Sequence, residues 1–180
     1  PFSGININFL VMKRALGIIV LLVAVFSCNK DDDNNSDGVR PEDKERAASF
    51  TNALQTGDFR LSDYYSDSPI DYIDTDQVVK EETDLWKYVS PWLHDDSYTF
   101  GSDGTLTIKQ NAVKIPSNSA ETITKTYAVK ADQNGVGFDF VGHEYQDLKY
   151  RLLSFTDSVV KVSATWNGKT VISEYRRVVQ

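Results

Sequence analysis

The sequence predicts a mainly β fold, an antiparallel eight-stranded barrel or meander with one or two short helices. Three observations predict it. From about residue 97 onward, apolar and polar residues alternate with period two, which is typical of strands with one buried face. Short turns join most of these segments, and short connections require antiparallel neighbours. The 180 residues are 41% hydrophobic and 25% charged, an ordinary composition for one globular domain.

The N-terminal part has the pattern of an export signal. Lys13 and Arg14 follow Met12 and precede an uncharged apolar run over residues 15–26. A basic start, a short apolar core and a small residue before the cut are typical of a secretory signal. The apolar run is too short for a comfortable transmembrane helix. We therefore interpret residues 1–27 as a leader and signal peptide.

Cys28 is the one cysteine of the sequence, and it follows directly on this signal. Residues 25–28, Val-Phe-Ser-Cys, resemble a lipobox, although Phe26 stands where a small residue is usual. The resemblance implies that Cys28 becomes the lipid-modified first residue of a bacterial lipoprotein. Several acyl chains on one residue would anchor the protein stably to a membrane.

Residues 28–46 are predicted to be a disordered acidic tether, because residues 29–46 contain one apolar residue, Val39. Lys30 followed by three aspartates resembles the signal that sends some lipoproteins to the outer face of the outer membrane. We expect surface exposure there, with the periplasmic face as the alternative. The net charge of −7 disfavours nucleic acid as a partner.

A first helix is predicted to begin near Pro41, a residue that suits the first helical turn. Ala47, Phe50 and Leu54 then form one apolar stripe, and Gly57 is a suitable stop. A domain boundary is nevertheless placed at residue 47, which assigns residues 47–180 to the β domain.

A second helix is predicted over residues 76–90. Val78, Leu85 and Val89 would share one of its faces, and Pro91 would end it. The pair Val78-Val79 also allows a strand.

Eight strands are predicted around these helices. Asn167-Gly168 is the strongest short hairpin signal among their turns. Eight strands close naturally into an up-and-down barrel, which removes exposed edges, and a sandwich is the alternative. The predicted strands cover residues 58–65, 97–101, 104–110, 122–130, 136–142, 147–155, 158–166 and 169–178.

Over about residues 55–180 the chain resembles the lipocalin-like lipoproteins of the Bacteroidetes type. The segments that carry the resemblance are Gly57-Asp58-Phe59-Arg60-Leu61, Pro69-Ile70-Asp71-Tyr72 followed by Asp74 and Asp76, and Asp95-Asp96-Ser97-Tyr98-Thr99-Phe100 with Asp103-Gly104-Thr105. Phe59 departs from the tryptophan usual at the start of the first strand. The resemblance implies an eight-stranded barrel or half-open meander, without implying a particular ligand.

The segment between the first two predicted strands, roughly residues 66–96, is rich in acidic and aromatic residues. In a barrel it could lie across the open end, where aromatic side chains offer large contact areas at low entropic cost. We therefore predict Tyr65, Tyr72, Trp86 and Trp92 as candidate ligand-binding residues. The alternative is that these side chains plug the barrel mouth.

The sequence contains no constellation that predicts an enzyme. His94 and His143 are not a pair at helical spacing, and no Gly-x-Ser-x-Gly elbow occurs. Cys28 is assigned to lipid. We therefore expect no catalytic residue, cofactor or metal site.

Two functions follow from these patterns. In the first, a monomeric barrel binds a small apolar or glycan-derived molecule. In the second, the barrel is a packed structural or interaction module, and its 66–96 segment contacts another envelope protein. An eight-stranded barrel is just wide enough for side chains to fill it, so both functions remain open.

Overall fold

A computed structural model describes residues 38–73, 79–115, 120–141 and 147–179. These residues form one α-helix, two 3-10 turns and a single antiparallel sheet of nine strands. The predicted mainly β fold is confirmed. The elements are α1 (Pro41–Leu54), β1 (Asp58–Ile73), β2 (Val79–Asp84), the 3-10 turns Trp86–Tyr88 and Pro91–His94, β3 (Ser97–Phe100), β4 (Thr105–Lys109), β5 (Thr122–Asp132), β6 (Gly135–Val141), β7 (Asp147–Phe155), β8 (Val159–Trp166) and β9 (Lys169–Arg177).

The sheet closes into a ring through β1, which pairs with both β9 and β3. Phe59 lies at the closure, opposite Arg177 of β9 and opposite Tyr98 of β3. The ring contains the eight strands other than β2. Closure gives these strands hydrogen-bonded neighbours on both sides, which removes the exposed edges of an open sheet.

The predicted second helix over residues 76–90 is wrong. β1 continues past the ring to Ile73, and the backbone groups of this extension need partners. β2 supplies them, with Ile70 opposite Glu82 and Ile73 opposite Val79. Long-range strand pairing thus overrides the local helical pattern, while Leu85 of the predicted helical stripe is still buried.

Helix α1 begins at Pro41, so residues 41–46 belong to the helix although the sequence assigned them to the tether. Asp43 is buried in its first turn and accepts a hydrogen bond of 2.7 Å from Arg40 Nε. Acidic residues are favourable there because the helix dipole is positive at its N-terminus. The acidic composition that suggested a tether therefore suits a helix start. In the part of the chain that the structure describes, no helix is long and apolar enough to cross a membrane.

Helix α1 covers one end of the ring. Its Phe50 packs edge-on against Phe138 of β6 at 5.2 Å between ring centroids, and against Phe155 of β7 at 5.4 Å. Gln55 Nε2 donates a hydrogen bond of 3.0 Å to the hydroxyl of Tyr127. The segment from β2 to the second 3-10 turn lies toward the opposite end, where β3 begins.

Aromatic side chains fill the interior of the ring. A continuous path of ring contacts begins at Phe50, which touches Phe138, and Phe138 stacks on Phe140 at 4.5 Å. Phe140 in turn lies 5.0 Å from Tyr150 and 5.8 Å from Tyr175. Further buried aromatic residues are Phe59, Tyr98, Phe100 and Tyr127. Large aromatic side chains in mutual contact thus occupy much of the interior, alongside the smaller buried residues Ser66, Ala164 and Ser173.

The turn that joins β8 and β9 can be tested by a single substitution. Asn167 and Gly168 have φ angles of 48° and 73°, as the predicted Asn-Gly turn requires. Gly168→Ala is expected to lower the free energy of unfolding by about 1 kcal/mol, because an L side chain is strained at this φ. Urea denaturation measures the change.

Gly137→Ala is the matched control, since Gly137 lies inside β6 and an added Cβ would make ordinary contacts of 3.5 Å. The control is expected to leave stability unchanged or slightly higher. Equal losses in the two variants would contradict the assigned turn.

Candidate functional site

Two of the four predicted ligand-binding residues come together. Tyr65 of β1 lies opposite Asp84 of β2 on one side and Ile172 of β9 on the other. It points away from the ring interior, because the neighbouring Ser66 is buried and successive side chains alternate between faces. Trp86 opens the first 3-10 turn directly after β2, and it lines the same depression as Tyr65.

This depression, the outer groove, is an open hollow of about 440 Å³ on the outside of the ring. Its lining includes two aromatic rings and two carboxylates, with serine and threonine residues between them. Its lining residues are Ser62, Asp63, Tyr65, Ser66, Thr83, Asp84 and Trp86.

Two irregularities in β1 shape the groove. The pairing with β9 shifts between Leu61 and Asp63, and the pairing with β2 shifts between Tyr65 and Ile70. Bulges of this kind bend a strand and re-aim its side chains, and they are frequent next to functional sites. Ser62 Oγ secures the first shift by donating a hydrogen bond of 3.0 Å to the backbone oxygen of Glu174.

Trp86 is held in place from two directions. Its backbone N–H donates a hydrogen bond of 3.1 Å to Asp84 Oδ1. Its ring stacks on His94 with 4.3 Å between centroids and an interplanar angle of 9°. The preceding Leu85 is buried, and its N–H donates to the backbone oxygen of Tyr64 at 3.0 Å. The indole is therefore positioned before any ligand arrives.

A charged network lies beside the groove. Lys161 Nζ contacts Glu174 Oε2 at 2.8 Å, and Arg176 Nη2 contacts Glu174 Oε1 at 2.8 Å. Burial opposes ionisation of Glu174, but hydrogen bonds from both cations keep its pKa below the ordinary value. The hydrogen bond to Glu174 raises the pKa of Lys161, and the nearby Tyr65 and Asp63 add to this. The network thus places two cations and one carboxylate beside the groove, whereas the charged residues that line the groove itself are Asp63 and Asp84.

No family model matches the sequence. No curated protein is similar enough to the chain to be a match. Among solved structures, the chain is similar to a DUF4847 family protein from Bacteroides vulgatus ATCC 8482, with 14% sequence identity and a TM-score of 0.42. The similarity covers 73% of this chain and 99% of that chain. The resemblance to lipocalin-like lipoproteins stays a prediction.

Trp92, the third of the predicted aromatic residues, does not line the groove. Trp92 belongs to the second 3-10 turn and packs against the core beside the buried Leu93. The backbone of Tyr72 lies opposite Lys80, and its side chain is outside the described residues. Both tryptophans of the 66–96 segment thus pack against the core, and Trp86 also lines the groove.

Cys28 and the leader also lie outside the described residues. Lipid attachment and export therefore remain predictions from the sequence.

Sequence reasoning missed the polar lining of the groove and one buried acid. The signal for the groove was the broken alternation in the stretch Leu-Ser-Asp-Tyr-Tyr-Ser-Asp-Ser-Pro over residues 61–69, where two bulges occur. The buried acid is Asp96, which has an exposed fraction of 0%. The available signal was its spacing from Tyr98 and Phe100, which follow it by two and four residues, because residues at i, i+2 and i+4 of a strand share a face.

Proposed function

We propose that this protein is a lipid-anchored lipoprotein of the bacterial outer membrane that binds a neutral glycan in the outer groove. The β ring serves as a packed scaffold for this surface. The observation that carries the proposal is the division of the aromatic residues. Those inside the ring pack on one another, whereas Tyr65 and Trp86 lie outside it in one groove.

The filled interior favours an external site over an internal one. The path of contacts from Phe50 to Tyr175 passes through the centre of the ring. An eight-stranded ring offers little more room than its own side chains require. A ligand in the interior would have to displace buried aromatic residues.

The chemistry of the groove favours a glycan over an apolar molecule. Apolar ligands are usually held in enclosed, mainly apolar pockets, and this groove is open and rich in polar groups. A sugar ring presents a C–H face that can lie on an aromatic ring, and hydroxyl groups at its edge. Trp86 and Tyr65 offer the rings, while Asp63 and Asp84 offer acceptors for hydroxyl donors. The same carboxylates repel acidic sugars, which points to neutral ones.

The location in the outer membrane is supported by sequence alone. The signal over residues 1–27, the lipobox at Cys28 and the acidic run after Lys30 agree with one another. A lipid on Cys28 would hold the domain near the membrane, with the residues before Pro41 as the connection.

Trp86→Ala is expected to weaken glycan binding at least tenfold, because it removes the ring on which a sugar would lie. The probes are cellotetraose, N-acetylated chitotetraose and tetragalacturonate, and isothermal titration calorimetry measures their affinities. We expect binding of one or both uncharged probes and none of the acidic one. Trp166→Ala is the control, since Trp166 is an exposed tryptophan of β8 outside the groove. Preferred binding of tetragalacturonate, or equal affinity of the two variants, would contradict the proposal.

A second candidate function is a protein interaction through the 66–96 segment. β2 is the end strand of the sheet, and no described strand pairs with its outer edge. Glu81 and Asp84 are exposed on this strand, so a partner with a basic surface would fit. A photo-crosslinking residue at position 81 tests the idea in intact cells. A discrete adduct that is absent with the crosslinker at position 157 would support it, and the absence of any adduct would count against it.

A further inference from the structure

Asp96 is a buried carboxylate at the start of β3. Its exposed fraction is 0%, and neither oxygen has a hydrogen-bond partner among the described residues. Leaving a buried polar atom without a partner costs about 1–3 kcal/mol, and more for a charge. The group is therefore accommodated far more easily as a neutral acid than as an anion.

The adjacent Asp95 holds the loop that follows β4. Its Oδ2 accepts hydrogen bonds from the backbone N–H groups of Ala112, at 2.8 Å, and Val113, at 3.1 Å. Its backbone oxygen accepts a hydrogen bond from Asn111 Nδ2. We name these three bonds the Asp95 clamp.

Gln110 holds the same loop from the inside. This buried side chain accepts a hydrogen bond of 2.8 Å from the N–H of Ile115 and donates one of 2.6 Å to the backbone oxygen of Ala120. Ile115 itself is part of the core. Gln110 and the Asp95 clamp thus hold residues 111–115 from two sides.

Asp95 and Asp96 are adjacent in the chain but lie in different environments. Asp95 accepts hydrogen bonds from the loop through Oδ2, whereas neither oxygen of the buried Asp96 has a partner among the described residues. Burial raises the pKa of Asp96 to about 7, the negative charge of Asp95 adds to this effect, and Lys114 of the loop opposes it. Among the described residues, Asp95 and Lys114 are the charged groups that act on Asp96. His94 is the other titratable group in the same turn. No set of three potential metal ligands occurs in the described ranges.

We propose that Asp96 is the proton-sensitive element of a latch whose other part is the Asp95 clamp. With Asp96 protonated, the segment Trp92–Ser97 stays packed and the clamp holds the loop. Ionised Asp96 turns toward water, and the neighbouring Asp95 moves with it, which releases Ala112 and Val113. The latch is independent of glycan binding, although Trp86 rests on His94 in the same segment.

Hydrogen exchange of the Ala112 and Val113 amides, followed by NMR between pH 4.5 and 8 and corrected for intrinsic rates, tests the latch. Ionised Asp96 is more stable in the open form, where water solvates it, than in the buried one. The equilibrium constant for opening should therefore rise about tenfold per pH unit between about pH 5 and 7. Above pH 7 it should level off, because Asp96 is then ionised in both forms. In Asp96→Asn the opening constant should stay low and independent of pH.

An opening constant that does not change with pH in the native protein would overturn the proposal. So would an opening constant that still rises with pH in Asp96→Asn. His94→Gln is the control, because imidazoles as a class titrate in the same range. The slope should survive in this variant, and its loss would assign the effect to His94 and contradict the role of Asp96. The pH dependence of the opening constant in the native protein and in His94→Gln still tests the proposal if Asp96→Asn fails to fold. No ligand is needed, so failure of the latch and failure of glycan binding are distinguishable.

Discussion

Replacement of Phe138 by alanine is expected to lower the free energy of unfolding by about 3–5 kcal/mol. Phe138 has an exposed fraction of 1%, and its ring contacts Phe50, Phe100 and Phe140. The change removes a large buried surface and leaves a cavity inside the ring, near the end that α1 covers. Urea denaturation followed by circular dichroism gives the free energy.

Leu153→Ala is the matched control for this experiment. Leu153 lies on the next strand, β7, and has an exposed fraction of 45%, so its truncation should change stability by about 0.5 kcal/mol or less. A loss below about 1 kcal/mol for Phe138→Ala would mean that the ring already contains space at this point. The packed interior, and with it the case for an external site, would then be wrong.

Asp96→Asn is expected to raise the free energy of unfolding by about 2–4 kcal/mol at pH 7.5 and to leave it nearly unchanged at pH 4. Burial raises the pKa of Asp96 from 3.8 to about 7 in the folded protein. The unfolded chain therefore loses its proton first, and the native protein loses stability as the pH rises from about 4 to about 7. Each unit of difference corresponds to about 1.4 kcal/mol, and an amide cannot ionise. Urea denaturation at the two pH values measures the difference.

Asp103→Asn is a control of opposite sign. A hydrogen bond from the Thr105 hydroxyl, followed by one from its backbone N–H, lowers the pKa of Asp103. Its ionised form therefore stabilises the turn, a contribution present above the ordinary aspartate range and lost as the pH falls through the lowered pKa. Asp103→Asn should destabilise the protein at pH 7.5 and have a smaller effect at low pH. A loss of stability in Asp96→Asn at pH 7.5 would contradict the account of the buried acid.

The strands of the ring could be predicted because their signals are local. Alternation marks each strand, and turns such as Asn167-Gly168 fix the neighbours, so the register follows from adjacent sequence. β2 could not be found in this way. Its sequence, Val-Lys-Glu-Glu-Thr-Asp, buries little, and it is a strand because the extension of β1 needs backbone partners. The predicted start of α1 near Pro41 is confirmed, whereas the tether was extended to residue 46 because an acidic stretch is compatible with both a tether and a first helical turn.

The candidate site was predicted only in part, for a related reason. Tyr65 and Trp86 meet because two bulges in β1 set the direction of its side chains, and alternation alone does not locate bulges. Trp92 has the same residue type, lies in the same segment and packs against the core like Trp86, yet only Trp86 lines the groove. Sequence composition therefore identified the segment that carries the site, while the assignment of each aromatic side chain required the fold.

The indole signals of the three tryptophans show whether a glycan binds on the outside of a packed ring. Each indole N–H gives a separate NMR signal, and single substitutions at positions 86, 92 and 166 assign them. During titration with cellotetraose or N-acetylated chitotetraose, we expect a saturable shift of the Trp86 signal, with those of Trp92 and Trp166 unchanged. Shifts concentrated at Trp92 and at interior residues such as Phe138 and Phe140, with Trp86 unaffected, would place the ligand inside the ring and contradict the account.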